Sequence, residues 1–222
     1  MGHGLIATAL EKKDLPPGVY FFNSVASMPA FKENLDWCMR ESINEFIEVI
    51  SYCKRTRTYL VFPSSAAVNT KSSAYARCKA AIEEIYHAYN YPALIPRIAT
   101  GYGNEAHKGK NASAIYQWCE QMKVGESPVV YGDGNQTRDF IHADDIADTI
   151  ELWAKEGKTG IHDIGTGVST SFNEVIQTIN KVLGTSLEPT YIPKAPFTHY
   201  ITNEGVPTKV SLEDGIRKIL NI

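Results

Sequence analysis

The sequence predicts an α/β fold, a doubly wound parallel sheet with a small C-terminal lobe. Short apolar runs rich in β-branched and aromatic residues alternate with longer segments of helical period. The runs are apolar throughout, as strands covered on both faces require. A chain of 222 residues can bury one substantial core, or one core with a small lobe attached.

The elements follow in order. Residues 18–24 (GVYFFNS) and 58–64 (TYLVFPS) are predicted strands. Between them, residues 34–54 place Leu35, Cys38, Met39, Ile43, Phe46, Ile47 and Ile50 at helical spacing, so a crossover helix joins parallel strands. A second helix over 73–90 carries Ile82, Ile85, Tyr86 and Tyr89, and a third after Lys110 carries Ile115, Trp118, Cys119 and Met122. Past the turn-rich stretch 131–135 comes an extended piece, 138–142, then a helix opened by Asp144 or Asp145. Residues 160–164 form another strand. The helix after it begins with a capping box, Ser171 to Glu174, and is closed by Gly184. A last helix starts near Ser211 and buries Ile216, Ile219 and Leu220.

Composition narrows the function classes. The chain is 43% hydrophobic and 21% charged, which argues against disorder, and its net charge of -3 offers nothing to nucleic acid or an anionic membrane. The basic cluster from Lys54 to Arg57 is short enough to be a solvated turn. No apolar stretch approaches the roughly 18 residues of a membrane span, and no signal-peptide pattern opens the chain. Cys38, Cys53, Cys78 and Cys119 are widely spaced, so reduced buried thiols in a cytoplasm are expected rather than zinc or disulfides. In that setting the glycosylation triplets at Asn111 and Asn135 carry no meaning.

The chemistry concentrates at Tyr75 and Lys79, with Ser64 and Ser65 upstream. The i, i+4 spacing puts a phenol and an ammonium on one helix face. A free tyrosine is protonated at neutral pH and is a poor base; a nearby ammonium stabilises its phenolate and makes it useful for proton exchange with a sugar hydroxyl. A serine at the end of the preceding strand can hold the same substrate oxygen. YxxxK also occurs on helices by chance, and the strand ending in Ser-Ser is what raises it above chance.

Tyr75 and Lys79 after VFPSSAAV resemble the catalytic core of the extended short-chain dehydrogenase/reductase family. The segment from Tyr131 to Ala147 (YGDGNQTRDFIHADDIA) is similar to that family's GDGxQxRDFxxxDDxA, and the stretch from Gly160 (GIHDIGTG) is similar to its strand and Gly-Thr-Gly turn. The resemblance covers nearly all of residues 18–184. It implies a Rossmann-like sheet, NAD or NADP as cofactor, and a nucleotide-linked sugar as substrate. Tyr75 is then an acid/base group, Lys79 its pKa modifier, both of them cofactor contacts, and Ser65 the holder of the substrate oxygen. Arg138 would contact the nucleotide phosphates, which suits a planar fork of donors, unless it is a surface partner of Asp139 or Asp133. The stretch from Glu105 (EAHKGKNASA), followed by GESP at Gly125, is similar to the ADP-heptose epimerase branch. That branch implies ADP-heptose, a substrate contact from His107 and a second acid/base group at Lys108. Lys108 equally fits a phosphate-positioning or solvated lysine at a helix start.

Departures from the family are as informative. Thr100 stands where an Asn is usual, and the loop from Ser65 to Tyr75 is short. At the front, Gly4 and Ala7 match the second and third glycine positions of a cofactor-binding turn, against the alternative of a plain N-terminal helix. No strand stands before them, and the acidic ribose reader expected about twenty positions on is missing. The expected fold is therefore a truncated Rossmann-like sheet. Residues 1–103 and 138–164 are assigned to it, and residues 104–137 and 165–222 to a substrate-binding lobe. Substrate should lie outside the carboxyl ends of the strands. A homo-oligomer covering the exposed sheet edge is expected. An epimerase is the first reading. A dehydratase or reductase of the same family is a rival, as is a non-catalytic sugar-nucleotide binding module that has lost the dinucleotide site.

Overall fold

A computed structural model of the chain describes residues 4–22, 28–105, 112–193 and 205–222. The chain divides into two compact units, Met1–Ile98 with Ala147–Ile164, and Ala99–Ile146 with Gly165–Ile222.

The first unit begins with a short helix α1 (Leu5–Leu10) and an edge strand β1 (Val19–Tyr20). Helices α2 (Met28–Glu33) and α3 (Leu35–Thr56) lead to β2 (Leu60–Val61) and β3 (Ser64–Ser65), which Phe62 and Pro63 separate. Then come α4 (Ala74–Tyr89) and β4 (Leu94–Ile98). The sheet is parallel throughout: β1 pairs β2, β2 and β3 both pair β4, and a later strand, β9, pairs β4 along its whole length from Leu94↔Gly160 to Ile98↔Ile164. The two strands predicted nearby are shorter than their apolar runs. The helices begin and end where their caps stand. Asn34 accepts from the Trp37 amide at 3.2 Å at the head of α3, and Asn90 adopts the left-handed conformation that closes α4.

The central strand, β4, was not predicted, and Pro96 in its middle is the reason, because proline has no N–H to give a ladder. The Ala93 carbonyl accepts from Gly160, and the Leu94 carbonyl accepts from Phe62. Backbone groups alternate sides along a strand, so residue 96 faces the β2–β3 side, at the Phe62–Pro63 interruption. The missing donor thus falls where the neighbouring ladder is already broken. Phe46, Ile50, Leu60, Phe62, Ile82 and Ile95 fill the core of this unit.

In the second unit, β5 (Thr100–Tyr102), α5 (Ala114–Lys123), β6 (Val129–Tyr131), β7 (Thr137–Arg138) and β8 (Phe140–His142) come first. Helix α6 (Ala143–Lys155) starts here and β9 (Gly160–Ile164) belongs to the first unit. The chain then supplies β10 (Thr170–Ser171), α7 (Phe172–Leu183), β11 (Thr190–Ile192) and α8 (Leu212–Leu220). β5 pairs β8 and β6 pairs β11 in parallel, whereas β7 and β10 are antiparallel. The capping box of α7 forms as predicted, with Glu174 N donating to Ser171 Oγ at 3.1 Å and Ser171 N to Glu174 Oε2 at 2.6 Å, and Gly184 closes the helix at φ 67°. Ile115, Trp118, Met122, Ile176, Ile179 and Ile216 are among the side chains of its core. At Gly215 an added Cβ would stand 2.3 Å from the Tyr102 hydroxyl, so glycine is what lets α8 close on that ring.

Two buried carboxylates organise this unit. Asp139 accepts from Thr166 N at 2.9 Å, Thr166 Oγ1 at 2.6 Å and Gly167 N at 3.0 Å, which pins the Gly-Thr-Gly turn. Asp145 accepts from Lys209 N at 2.8 Å and Val210 N at 3.2 Å, anchoring the approach to α8. Among the described residues, no helix is long and apolar enough to cross a membrane.

Candidate active site

The strand β3 ends at Ser65, in extended conformation (φ -145°, ψ 141°), where its side chain caps the 3-10 turn Ala66–Asn69. Ser65 Oγ accepts from Ala67 N at 3.3 Å, which leaves its hydroxyl hydrogen to donate elsewhere. The chain then reaches Ser73, whose Oγ accepts from Ala76 N at 3.1 Å and fixes the start of α4. Tyr75 therefore lies in the first turn of that helix and Lys79 one turn further on.

Lys79 is the group whose surroundings are most unusual. It is only 2% exposed, and its Nζ donates to the Pro63 carbonyl at 3.1 Å. The same Nζ lies 5.5 Å from the centre of the Phe62 ring and 5.9 Å from that of Tyr75, within cation–π range of both. Burial disfavours the charged form and brings the Lys79 pKa down to about 8, against the opposing pull of Cys78, Glu45 and Glu83. The Tyr75 ring is packed edge-on to Phe31, with centroids 5.6 Å apart. A phenol, an ammonium and a strand-end hydroxyl are thus carried by β3 and by the helix packed on it. Together they can exchange a proton with an alcohol and hold the oxygen as it becomes a carbonyl.

Sequence reasoning missed the next turn of the same helix. Glu83, buried at 5% exposure, accepts from Ser64 Oγ at 2.5 Å and from Arg97 Nε at 2.9 Å through Oε1, and from Arg97 Nη2 at 2.6 Å through Oε2. Two signals were available: a carboxylate at i+4 from Lys79, and a lone arginine inside the apolar strand LIPRI.

The other described candidates stand on other elements. Gly4 is the residue before α1, and a Cβ there would meet nothing within 4 Å. Among the described residues, packing therefore does not demand glycine there. Ala7 is fully buried inside α1. Arg138 stands in β7 opposite Thr170, its Nη1 donating to the Thr137 carbonyl at 2.7 Å. His107 and Lys108 fall outside the described residues. For a nicotinamide dinucleotide the fit is uneven. Tyr75, Lys79 and Ser65 suit its reactive end. On the adenosine side, β1 pairs with β2 alone among the described strands.

Residues 7–165 match the NAD dependent epimerase/dehydratase family. This chain belongs to that family. A protein of Methanocaldococcus jannaschii, provisionally named a UDP-glucose 4-epimerase, is 31% identical over 141 residues, which is 60% of this chain and 46% of that protein. The matched stretch is therefore less than half of that relative's length. Among solved structures, the UDP-N-acetylglucosamine 4-epimerase of Methanobrevibacter ruminantium superposes with a TM-score of 0.84 at 24% identity, over 100% of this chain and 81% of that one. The ADP-L-glycero-D-manno-heptose-6-epimerase of Helicobacter pylori does so with a TM-score of 0.78 at 23% identity, over 91% of this chain and 71% of that one. At these identities the likeness establishes the fold, the Rossmann-like α/β architecture expected from the sequence.

Proposed function

We propose that this chain acts on a nucleotide-linked sugar with NAD or NADP, epimerising it through transient oxidation of one alcohol carbon. The observation that carries this reading is the buried ammonium of Lys79, one turn from Tyr75 and against its ring. A desolvated lysine is costly to keep unless its charge is used, and here it faces the phenol that proton exchange needs.

Ser65 donates its hydroxyl hydrogen to the sugar oxygen and holds it in place. The Tyr75 phenolate takes the proton from that oxygen as the C–O bond gains double-bond character, and the phenol gives it back when the carbonyl is reduced. Lys79 keeps the phenolate favourable throughout by its charge. NAD, when bound, supplies the hydride acceptor and donor. Lys108 is proposed as a second acid/base group on the strength of the HKG segment, which also favours ADP-heptose as substrate; Arg138 is proposed to meet the nucleotide phosphates. A dehydratase would use the same trio and differ in its further groups. The thin adenosine side favours one other reading, a binding module without catalysis. Tyr75, Lys79 and Ser65 oppose it, because binding alone has no use for a buried base pair of this kind.

The pH dependence tests the proposal. Lys79 must be cationic to support Tyr75, and burial holds its pKa near 8. Activity should then fall as pH rises through about 8, well below the ordinary lysine value of 10.5. The alkaline limb of kcat/KM, which reports the free enzyme, is the measurement. A profile flat to pH 10 would remove Lys79 from the mechanism.

A further inference from the structure

Two side chains one turn apart on α4 reach two consecutive residues of one strand segment. Lys79 Nζ donates to the Pro63 carbonyl, and Glu83 Oε1 accepts from Ser64 Oγ. Both oxygens of the Glu83 carboxylate also accept from Arg97, on the neighbouring strand β4. Pro63 and Ser64 immediately precede Ser65, while Tyr75 lies one turn before Lys79. Rotating or sliding α4 by a single residue would break both links together, and with them the placement of Tyr75 relative to the strand that ends in Ser65. A buried carboxylate tolerates no such slip, because its donors are what make burial affordable at all.

We propose that Glu83 is the positioning residue of the Ser65–Tyr75–Lys79 site, locking the register of α4 against the strand that ends in Ser65. This rests on the reading of that trio as the acid/base site. Glu83 acts through Ser64 and Arg97, not on the reacting atoms. It has a second effect through charge. Among the described residues, the groups facing the Lys79 ammonium include Tyr75, Cys78 and Glu83 from its own helix, Glu45 from α3, and the Phe62 ring with the Pro63 carbonyl from the strand side. Glu45 brings an Oε2 that is buried without a hydrogen-bond partner. Glu83 is one of the two carboxylates in this ring that favour the charged lysine, even with Arg97 neutralising part of it.

The test uses the full chain carrying ¹³Cε-labelled lysine, with the Lys79 signal assigned by its loss in Lys79→Met. No substrate or cofactor is needed to read its titration. In Glu83→Gln the Lys79 midpoint should move down by about half a pH unit or more. With a nucleotide sugar that the wild type turns over, kcat should fall about tenfold while KM changes less than twofold. A residue that merely stabilises the fold would lower the melting temperature and leave the Lys79 midpoint and kcat unchanged; that result overturns the proposal. If Glu83→Gln does not fold, Arg97→Lys serves instead, since it keeps a charge but loses the two-pronged grip. The Lys79 midpoint should then rise and kcat fall, and no change in either contradicts the role. If the wild type turns over no nucleotide sugar, the catalytic reading fails, while the Lys79 titration still decides whether Glu83 governs this helix face.

Discussion

Replacing Tyr75 with phenylalanine is expected to lower turnover by about 10² to 10⁴-fold and to leave nucleotide-sugar binding nearly intact. The substitution removes one oxygen and little else. The ring keeps its edge-on contact with Phe31 and its face toward the Lys79 ammonium, so the packing of α2, α4 and the strand beneath them is preserved. What disappears is the atom that passes the proton. Ser65 can still donate to the sugar oxygen, and any residual turnover would come from that hydrogen bond and from binding alone. The measurement is steady-state kinetics beside calorimetric affinity for the sugar nucleotide. A variant that keeps most of its activity would take Tyr75 out of the mechanism.

Lys79→Met is expected to move stability and activity in opposite directions. Methionine has the length and volume to fill the site without a charge to desolvate, whereas the native ammonium is 2% exposed with its pKa brought down to about 8. Removing it should raise stability at pH 7 by about 1–2 kcal/mol, after allowing about 1 kcal/mol for the donor lost to the Pro63 carbonyl. Turnover should fall by about 10² or more, because nothing then holds the phenolate. The sign of the pH dependence follows from linkage. Between about 8 and 10.5 the unfolded lysine is protonated and the folded one is not, so wild-type stability rises with pH across that window. The advantage of the methionine variant should thus be fullest below pH 8 and fade toward 10.5. Denaturant unfolding at pH 7 and pH 10 checks both points. A variant that is destabilised yet fully active would make Lys79 a structural residue.

The features legible in the sequence were those encoded locally. Helical period located α3 and α4, and the Ser171–Glu174 capping box with Gly184 located α7, because a cap and the turn it closes lie within a few residues. The Tyr75–Lys79 pair was visible for the same reason, being one turn of one helix. The central strand β4 was missed because Pro96 reads as a strand breaker, and only the tertiary pairing shows that it faces a gap between β2 and β3. Glu83 and Arg97 were passed over because the i+4 spacing from Lys79 and the lone arginine of LIPRI do not name partners that come from other elements. Asp145 was read as a helix opener. It does lie in the first turn of α6, but its oxygens go to the amides of Lys209 and Val210, far along the chain. Asp139 was considered only as a partner for Arg138, and its oxygens hold Thr166 and Gly167. Carboxylates that collect distant backbone amides leave no local pattern.

Calorimetric titration with NAD and with NADP, in the presence and absence of a nucleotide sugar, tests the proposed activity most directly. In the proposed reading Tyr75, Lys79 and Ser65 meet the reactive end of the cofactor, and no described residue crowds Gly4 at the start of α1. The adenosine end has little sheet beside it, since β1 pairs only with β2 among the described strands. Affinity should accordingly be modest, with a Kd of about tens of micromolar, because little sheet backs that end among the described residues. Binding in that range, lost or weakened in Lys79→Met, is the predicted result. No detectable heat at millimolar cofactor with the sugar nucleotide present would contradict it, and would leave the chain a sugar-nucleotide binding module without a redox partner.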